Sequence, residues 1–490
     1  MFFWNGIIGV SALILGYFLA SSVFFIAIMV AGFGWLMLLP YHAQIAYYLS
    51  LATFGSALIL PFLPGRPYVW EFAALLAWSG SIMTVTLRRY SPDFLPTLRA
   101  NRLIFTGIFG YCVVLVATML YRGVGLRIFG SETVGGRFYF QQLACAIFPL
   151  LFSMIEADEK SLVRIIKLQW FLTTTYVLSD VAFSIAPDKL LFLLYFLELA
   201  NDALNFEVQS LMFGIRRYQS LAIFGQGMVF LMLAYFPLRD FLQKRILYML
   251  PALVGIGVLS LMSGHRWVVI IVVITIMFVG YAQRFFTMRN VMVLTVMGLL
   301  AFSVLFLYSS YLPSAAQRAV SFIPGLRVEN QARIDADSTM IVRNTMFRVG
   351  MRMIPDYLWV GRGFTRFYDD PMQNTDPTTI TAHVNQGKFY NGFVGLMINT
   401  GLFGTLFMLL FILGGSASAW RIIKYLRANG CDDSLTRVSS IVAGYWMASV
   451  LAFLVLHGDS EFAMRTFSLQ AGMLILCNKL LGIRQKAQQS

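Results

Sequence analysis

Charge is what this chain most lacks. Only 12% of its 490 residues are Asp, Glu, Lys or Arg, against 58% hydrophobic, where soluble domains carry about a quarter charged. So little charge cannot coat a water-facing surface, which excludes an ordinary soluble domain. Cysteine is equally scarce. Cys112, Cys145, Cys431 and Cys477 have no metal-ligand spacing and form no disulfide framework. No Gly/Ser- or Pro-rich linker divides the chain, and no internal repeat of the transporter kind is evident. Acidic residues are the scarcer sign, 23 against 37 Lys and Arg, for a net charge of +14.

What is present is apolar sequence in long runs, with a mean hydropathy of +0.72. A bilayer core needs about twenty apolar residues per helical crossing. Runs of that kind fall near 3–19, 22–39, 45–63, 68–87, 103–121, 141–156, 164–186, 218–236, 246–263, 267–282, 291–311, 389–414, 438–457 and 466–482. They predict an all-α polytopic membrane protein of about fourteen transmembrane helices, forming one membrane domain over residues 1–490. Met1–Leu19 has no basic start and runs into a second apolar stretch, so it reads as a helix rather than a cleaved leader.

The basic residues set an orientation. Arg88, Arg89, Arg99 and Arg102 share one short loop, and Lys160, Arg164 and Lys167 another. Arg239, Lys244 and Arg245, then Arg284 and Arg289, then Arg421, Lys424, Arg427 and Arg437 follow, with Lys479, Arg484 and Lys486 near the end. The positive-inside bias puts all of these, and both termini, in the cytoplasm. Two longer segments then lie outside. Residues 187–217 read as a helix along the outer interface. Residues 312–388, between spans 11 and 12, form a large basic loop with Arg318, Arg327, Arg333, Arg343, Arg348, Arg352, Arg362, Arg366 and Lys388. A solvated basic surface is the plain account of that loop. The functional account is a site for an anion such as phosphate or pyrophosphate. Divided in this way, the net charge is no nucleic-acid signal.

Several constellations lie on the outer side. Ser263-Gly264-His265-Arg266-Trp267 sits where a span meets the interface, a costly place for an arginine unless it snorkels or pairs. In the loop, Arg343 to Pro355 has helical spacing of Met346, Val349, Met353 and Ile354, and Pro355 is predicted to end the helix. Then come Gly361-Arg362-Gly363-Phe364, His383, Tyr390-Asn391-Gly392-Phe393 and Asn399-Thr400-Gly401-Leu402-Phe403-Gly404. Arg137, after Gly135-Gly136, is either a phosphate ligand or an interfacial anchor. His457-Gly458-Asp459-Ser460-Glu461 with Arg465 is either a sugar-binding or a structural cluster.

In order and spacing, residues 260–405 resemble the O-antigen ligase and polymerase family of bacterial membrane glycosyltransferases. Arg266 matches the family's first arginine and Arg343 its second. Gly361, Gly363 and Phe367 match its turn, and Tyr390-Asn391 through Gly404 its closing helix. The family's histidine, expected just before Asn391, is Tyr390 here, and His383 lies seven residues earlier. If a helix began that early, the two would share one face two turns apart. The resemblance implies transfer of a glycan from undecaprenyl pyrophosphate to a sugar hydroxyl at the periplasmic face of the inner membrane. The acceptor would be a lipid-linked repeat or a lipid A-core sugar, without cofactor or metal. It assigns Arg266 and Arg343 to the diphosphate, with Arg348, Arg362 and more weakly Arg137 in support. His383 would be the base, with Tyr390 as the alternative. Asp335-Ala336-Asp337 has the spacing of a metal motif but no evident partner set. A flippase for lipid-linked sugars is the rival reading, since many spans and a basic cavity would suit it too.

Overall fold

The structure is a computed structural model that describes residues 22–62, 66–125, 133–184, 187–198, 215, 217–242, 246–367, 383–384, 387–456 and 458–489. Helices α1 (His42–Thr53), α2 (Val69–Thr86), α3 (Arg102–Arg122), α4 (Glu159–Leu172), α5 (Arg266–Ala282) and α6 (Met288–Tyr308) come from its first two thirds. They are followed by α7 (Ser314–Val320), α8 (Asn330–Tyr357), α9 (Gly392–Asn429), α10 (Ser434–Leu451) and α11 (Ala463–Gln489). Further helices lie before and between them, among them Ser22–Met37, Gln219–Tyr235 and Ile246–Leu261. The one sheet among the described residues is two residues wide, Thr133–Val134 antiparallel to Arg366–Phe367.

Helical segments lie at every predicted span from 22–39 onward; the first, 3–19, falls outside the described residues. Among the described residues, five helices are long and apolar enough to cross a membrane: Val69–Thr86, Arg102–Arg122, Met288–Tyr311, Gly392–Asn429 and Ser434–Leu456. Ser220–Tyr235, Leu247–Leu261 and Arg266–Ala282 are apolar but shorter. This is an all-α membrane architecture. Other predicted spans are interrupted. Residues 141–156 break between Gly136–Cys145 and Phe148–Met154, where Pro149 starts a new helix, as proline favours. Residues 164–186 break at Thr173, whose hydroxyl turns back to the Trp170 carbonyl.

The core is built on α9, α10 and α11, with α3 running along α9. A Cβ on Gly107 would stand 2.5 Å from the Phe411 backbone nitrogen, and one on Gly414 2.7 Å from that of Ile104. Small residues let two apolar helices approach backbone to backbone where lipid supplies no hydrophobic drive between them. At the other extreme, no residue in the apolar stretch of Met288–Tyr311 is buried.

Side-chain contacts gather the loops into two ends. At one, Lys479 reaches Ser91 and Ile155, Arg421 reaches Asn101, Arg284 reaches Arg427, and Arg239 pairs with Asp432. At the other, Arg122 binds the Gly361 carbonyl, Arg318 binds that of Gly264, and Asn391 binds that of Leu454. The clusters that the sequence assigned to one side thus contact one another.

Within the long basic segment, the helix predicted from Arg343 begins thirteen residues earlier, at Asn330. Pro355 does not end it. Pro355 sits in the last turn of a helix that runs on to Tyr357, where its missing N–H costs only one bond. In 187–217, Pro187–Leu190 and Leu191–Tyr195 are short helical turns; residues 199–214 and 216 fall outside the described part.

The most consequential local feature is a break in α9. Gly401 holds φ 68°, ψ −172° within the helix, a conformation that favours glycine. The bond that Leu402 N–H would give to Ile398 is replaced from outside. Leu402 N–H donates to the Leu358 carbonyl at 2.7 Å, and the Ile398 carbonyl accepts from Arg362 N–H at 2.7 Å. Gly363 N–H donates to the Asn399 carbonyl at 2.9 Å. A Cβ on Gly361 would meet the Asn399 carbonyl oxygen at 2.3 Å. Gly361→Ala is therefore expected to pry the loop off the helix at a cost of about 1–3 kcal/mol. Thermal unfolding of the purified protein checks it: a melting temperature equal to wild type would mean that the seal yields freely.

Candidate functional site

The turn Ser263–His265 joins Leu261 to the first residue of α5, which is Arg266. The Ser263 hydroxyl donates to the Ser260 carbonyl at 2.6 Å and accepts from His265 N–H at 3.1 Å. Arg266 is thereby presented at a helix start beside α7 and α8. Its guanidinium donates to the Arg318 carbonyl at 3.3 Å and the Ser321 hydroxyl at 3.2 Å, and lies 5.4 Å from the Phe322 ring centroid.

Arg266 shares a cavity of about 100 Å³ with Arg343, Arg217 and Arg318; His265 and Thr339 also line it. Asp335, buried on α8, pairs with both Arg217 and Arg318. Arg318 also donates to the Gly264 carbonyl at 2.6 Å and the Thr339 hydroxyl at 2.9 Å. Burial first, then neighbouring Arg217, pushes the Arg318 guanidinium down to about 10, still cationic at neutral pH. Neither Arg266 nor Arg343 has an ion pair among the described residues. The Nε of Arg343 is buried without a hydrogen-bond partner among them. Burial lowers the pKa of Arg343, as does Arg266, while Tyr390 and Asp459 act the other way. A desolvated cation beside other cations stabilises any anion that enters.

Arg343 also connects the cavity to the second candidate group. Its guanidinium carbon lies 5.7 Å from the Tyr390 ring centroid, and the Tyr390 hydroxyl is 3.2 Å from His383 Nδ1. The two rings meet edge to face at 5.7 Å between centroids. They do not share a helix face. Helix α9 starts only at Gly392, capped by the Asn391 side chain on Val394 N–H at 3.1 Å. Tyr390 adopts φ 55°, and the backbone folds back so that Lys388 N–H donates to the His383 carbonyl at 3.0 Å. Burial, with Lys388 adding to it, lowers the His383 pKa, so the imidazole is neutral at pH 7 and able to accept a proton.

The other sequence candidates are placed differently. Arg362 donates to the Val384 carbonyl at 2.7 Å, so it ties the sealing loop to the His383 turn. Arg348 is exposed, and five positions along α8 from Arg343 it faces about 140° away. Arg137 pairs with Glu71 at 3.1 Å beside a separate apolar cavity lined by Trp70, Phe72 and Trp78. Gly363 and Phe364 pack against Tyr139, whose hydroxyl accepts Phe364 N–H at 3.0 Å. Phe367 pairs with Thr133. His457 lies outside the described residues, and Asp459 acts electrostatically on Arg343.

The sequence reading did not assign Arg217, Arg318 or Asp335 to the anion site. Arg318 was visible only as one of many loop arginines, and Asp335 was noted only for its spacing with Asp337, with no role assigned to it. Engaged by two guanidiniums, Asp335 is a counter-ion.

Neither a protein-family model nor a curated protein matches this sequence.

Removing the buried carboxylate that pairs with buried Arg318 and half-buried Arg217 is expected to be severe. Asp335→Asn would cost about 3–5 kcal/mol, read as a lower melting temperature and as weaker anion binding through displaced Arg318. Unchanged melting would mean that Arg217 and Arg318 find other counter-charges.

Proposed function

We propose that the protein is a membrane glycosyltransferase of the O-antigen ligase/polymerase type, and more specifically a surface-polysaccharide polymerase. It would act at the periplasmic face of a bacterial inner membrane with both termini in the cytoplasm. The donor is a glycan on undecaprenyl pyrophosphate, and the acceptor is a sugar hydroxyl of a growing lipid-linked glycan. One observation carries the reading. Arg266 and Arg343, the two arginines singled out by the family resemblance, line one cavity with two further arginines, and Arg343 adjoins the His383–Tyr390 pair.

The roles follow from the chemistry. As the anomeric carbon–oxygen bond breaks, charge grows on the diphosphate. Arg266 and Arg343 meet it with permanent cations, and Arg343 has an unsatisfied buried donor. His383, neutral at pH 7, accepts the acceptor hydroxyl's proton, and Tyr390 orients its Nδ1. Arg362 holds the turn that carries His383. A flippase would instead need cationic residues along a path through the membrane, whereas these arginines converge at one end of the helices.

The decisive measurement is a gel profile of surface glycans from cells lacking the gene, complemented with wild type or Arg343→Ala. A polymerase gives loss of the long ladder with single repeats remaining, rescued by wild type and not by Arg343→Ala. Full-length polymer stranded on its lipid carrier would mean a ligase. A normal profile would remove both, and rescue by Arg343→Ala would sink the arginine assignment.

The pH dependence has a definite sign. The base works only when unprotonated, and a lowered pKa extends the neutral form to lower pH. Transfer by the reconstituted protein is expected to hold level from pH 8 to below about 6.5, the ordinary histidine value, then fall. An acid limb centred above 6.5, or full activity in His383→Gln, would remove His383 as the base.

A further inference from the structure

The end of the protein away from the arginine cavity contains a second, larger space with no part in the proposed transfer. It measures about 460 Å³ and lies between α1, the last turn of α2 and the residues leading into α4. That size is within the range of small-molecule sites.

Its lining has two characters. Tyr48 and Leu87, 49% and 48% exposed, flank it with apolar surface, and Leu39 and Met83 continue that side. The polar side carries both signs of charge: Arg89 as cation, Glu156 and Asp158 as carboxylates. Lys479 braces the wall, donating to Ser91 Oγ at 2.8 Å and the Ile155 carbonyl at 3.2 Å, both lining residues. Asp158 is partly committed, since it caps α4 through Ser161 N–H at 3.0 Å; Glu156 has no such duty among the described contacts.

Tyr47 supplies the observation that points to a ligand. It is only 3% exposed and lines the cavity, yet its hydroxyl has no hydrogen-bond partner among the described residues. Its ring is fixed edge to face against Phe152, 5.7 Å between centroids. A buried hydroxyl left without a partner costs about 1–3 kcal/mol, and an acceptor on a bound molecule would remove that cost.

A solute that satisfies all three features must carry a cation, an anion and an apolar body together. We propose that this cavity is a binding site for a phospholipid with an ethanolamine headgroup. The ammonium donates to Glu156 and Asp158, the phosphate accepts from Arg89 and from the Tyr47 hydroxyl, and the acyl chains leave across Leu87 and Tyr48. The exposed apolar flank favours a bilayer lipid over a free zwitterion. The basic clusters at this end (Arg88, Arg89, Arg99 and Arg102) belong at the headgroup level.

The test uses the full-length protein in detergent, exchanged into nanodiscs of phosphatidylethanolamine, phosphatidylcholine or phosphatidylglycerol. Lipid retained through purification is read by native mass spectrometry, and melting temperature is read in each disc. Phosphatidylethanolamine is expected to be retained in preference and to raise the melting temperature most. Phosphatidylcholine cannot donate from its quaternary ammonium, and phosphatidylglycerol has no cation. Tyr47→Phe keeps the ring packing and is expected to weaken retention by roughly fivefold, the scale of one hydrogen bond. Glu156→Gln, which leaves Asp158 as the remaining carboxylate, is expected to reduce the preference for ethanolamine over glycerol headgroups. Equal retention of all three lipids, or retention unmoved by both substitutions, would overturn the site in favour of ordinary surrounding lipid. Protection by free phosphoethanolamine equal to that by the lipid would overturn the choice of a lipid. Neither substitution touches the residues proposed for transfer, so glycan synthesis is scored separately.

Discussion

The arrangement depends on an exchange of hydrogen bonds at the break in α9. A helix within a membrane must satisfy its own backbone, because lipid offers no donors or acceptors. At Gly401 the helix gives up a bond, and the loop Leu358–Gly363 supplies partners for the exposed groups. This fixes the basic segment to the helix core through backbone atoms, which do not adjust as long side chains do. From that fixed point, Arg362 reaches Val384 and sets the His383 turn, while Phe364 seats against Tyr139. Non-helical backbone in a membrane protein is tolerated where protein covers it or where it lines a cavity, and here the cover is the loop Leu358–Gly363.

The second constraint is electrostatic. Four guanidiniums around a small space would repel one another without Asp335, which holds Arg217 and Arg318 in place. Such clusters are poor at adding stability, because desolvation consumes most of the attraction. Their use is to keep positive charge fixed and dry. One carboxylate offsets only one of the four positive charges, leaving an excess, and Arg266 and Arg343 have no ion pair of their own among the described residues. That excess is where an anion gains most.

Legibility in the sequence followed the range of each interaction. Local signals read well: apolar runs located the helices, and Gly361 and Gly363 marked a turn, whereas the break at Gly401 fell inside what reads as an unbroken closing helix. Arg266 and Arg343 could be singled out because each stands in order relative to such local signals. Pairings across the chain were not. Arg217 and Asp335 are 118 residues apart, and Arg137 and Glu71 are 66 apart, so no spacing rule exposes either pair. The same blindness left Asp335 without a role and left Arg137 open between a phosphate ligand and an interfacial anchor. No contact between His383 and Tyr390 was expected. The sequence offered them as alternatives, on one helix face two turns apart if a helix began that early. A reversed turn ahead of the helix instead brings the rings together. The start of α8 at Asn330 was missed because its first turns are polar and show no apolar stripe.

Size separates the roles of the two candidate groups. At about 100 Å³ the arginine cavity falls well below the roughly 300–1,000 Å³ of small-molecule sites, which suits a small anion better than a sugar chain. In the proposed reaction only the charged linkage of the donor would enter among the arginines, with the glycan and the lipid left outside. The bond to be broken then lies at the cavity mouth. Arg343 extends from the cavity toward the Tyr390 ring and the imidazole beyond it, so charge stabilisation and proton acceptance meet at a single residue. Under the proposed reaction a change at Arg343 would act on both halves of the transfer, whereas a change at Arg266 would act on the anion alone.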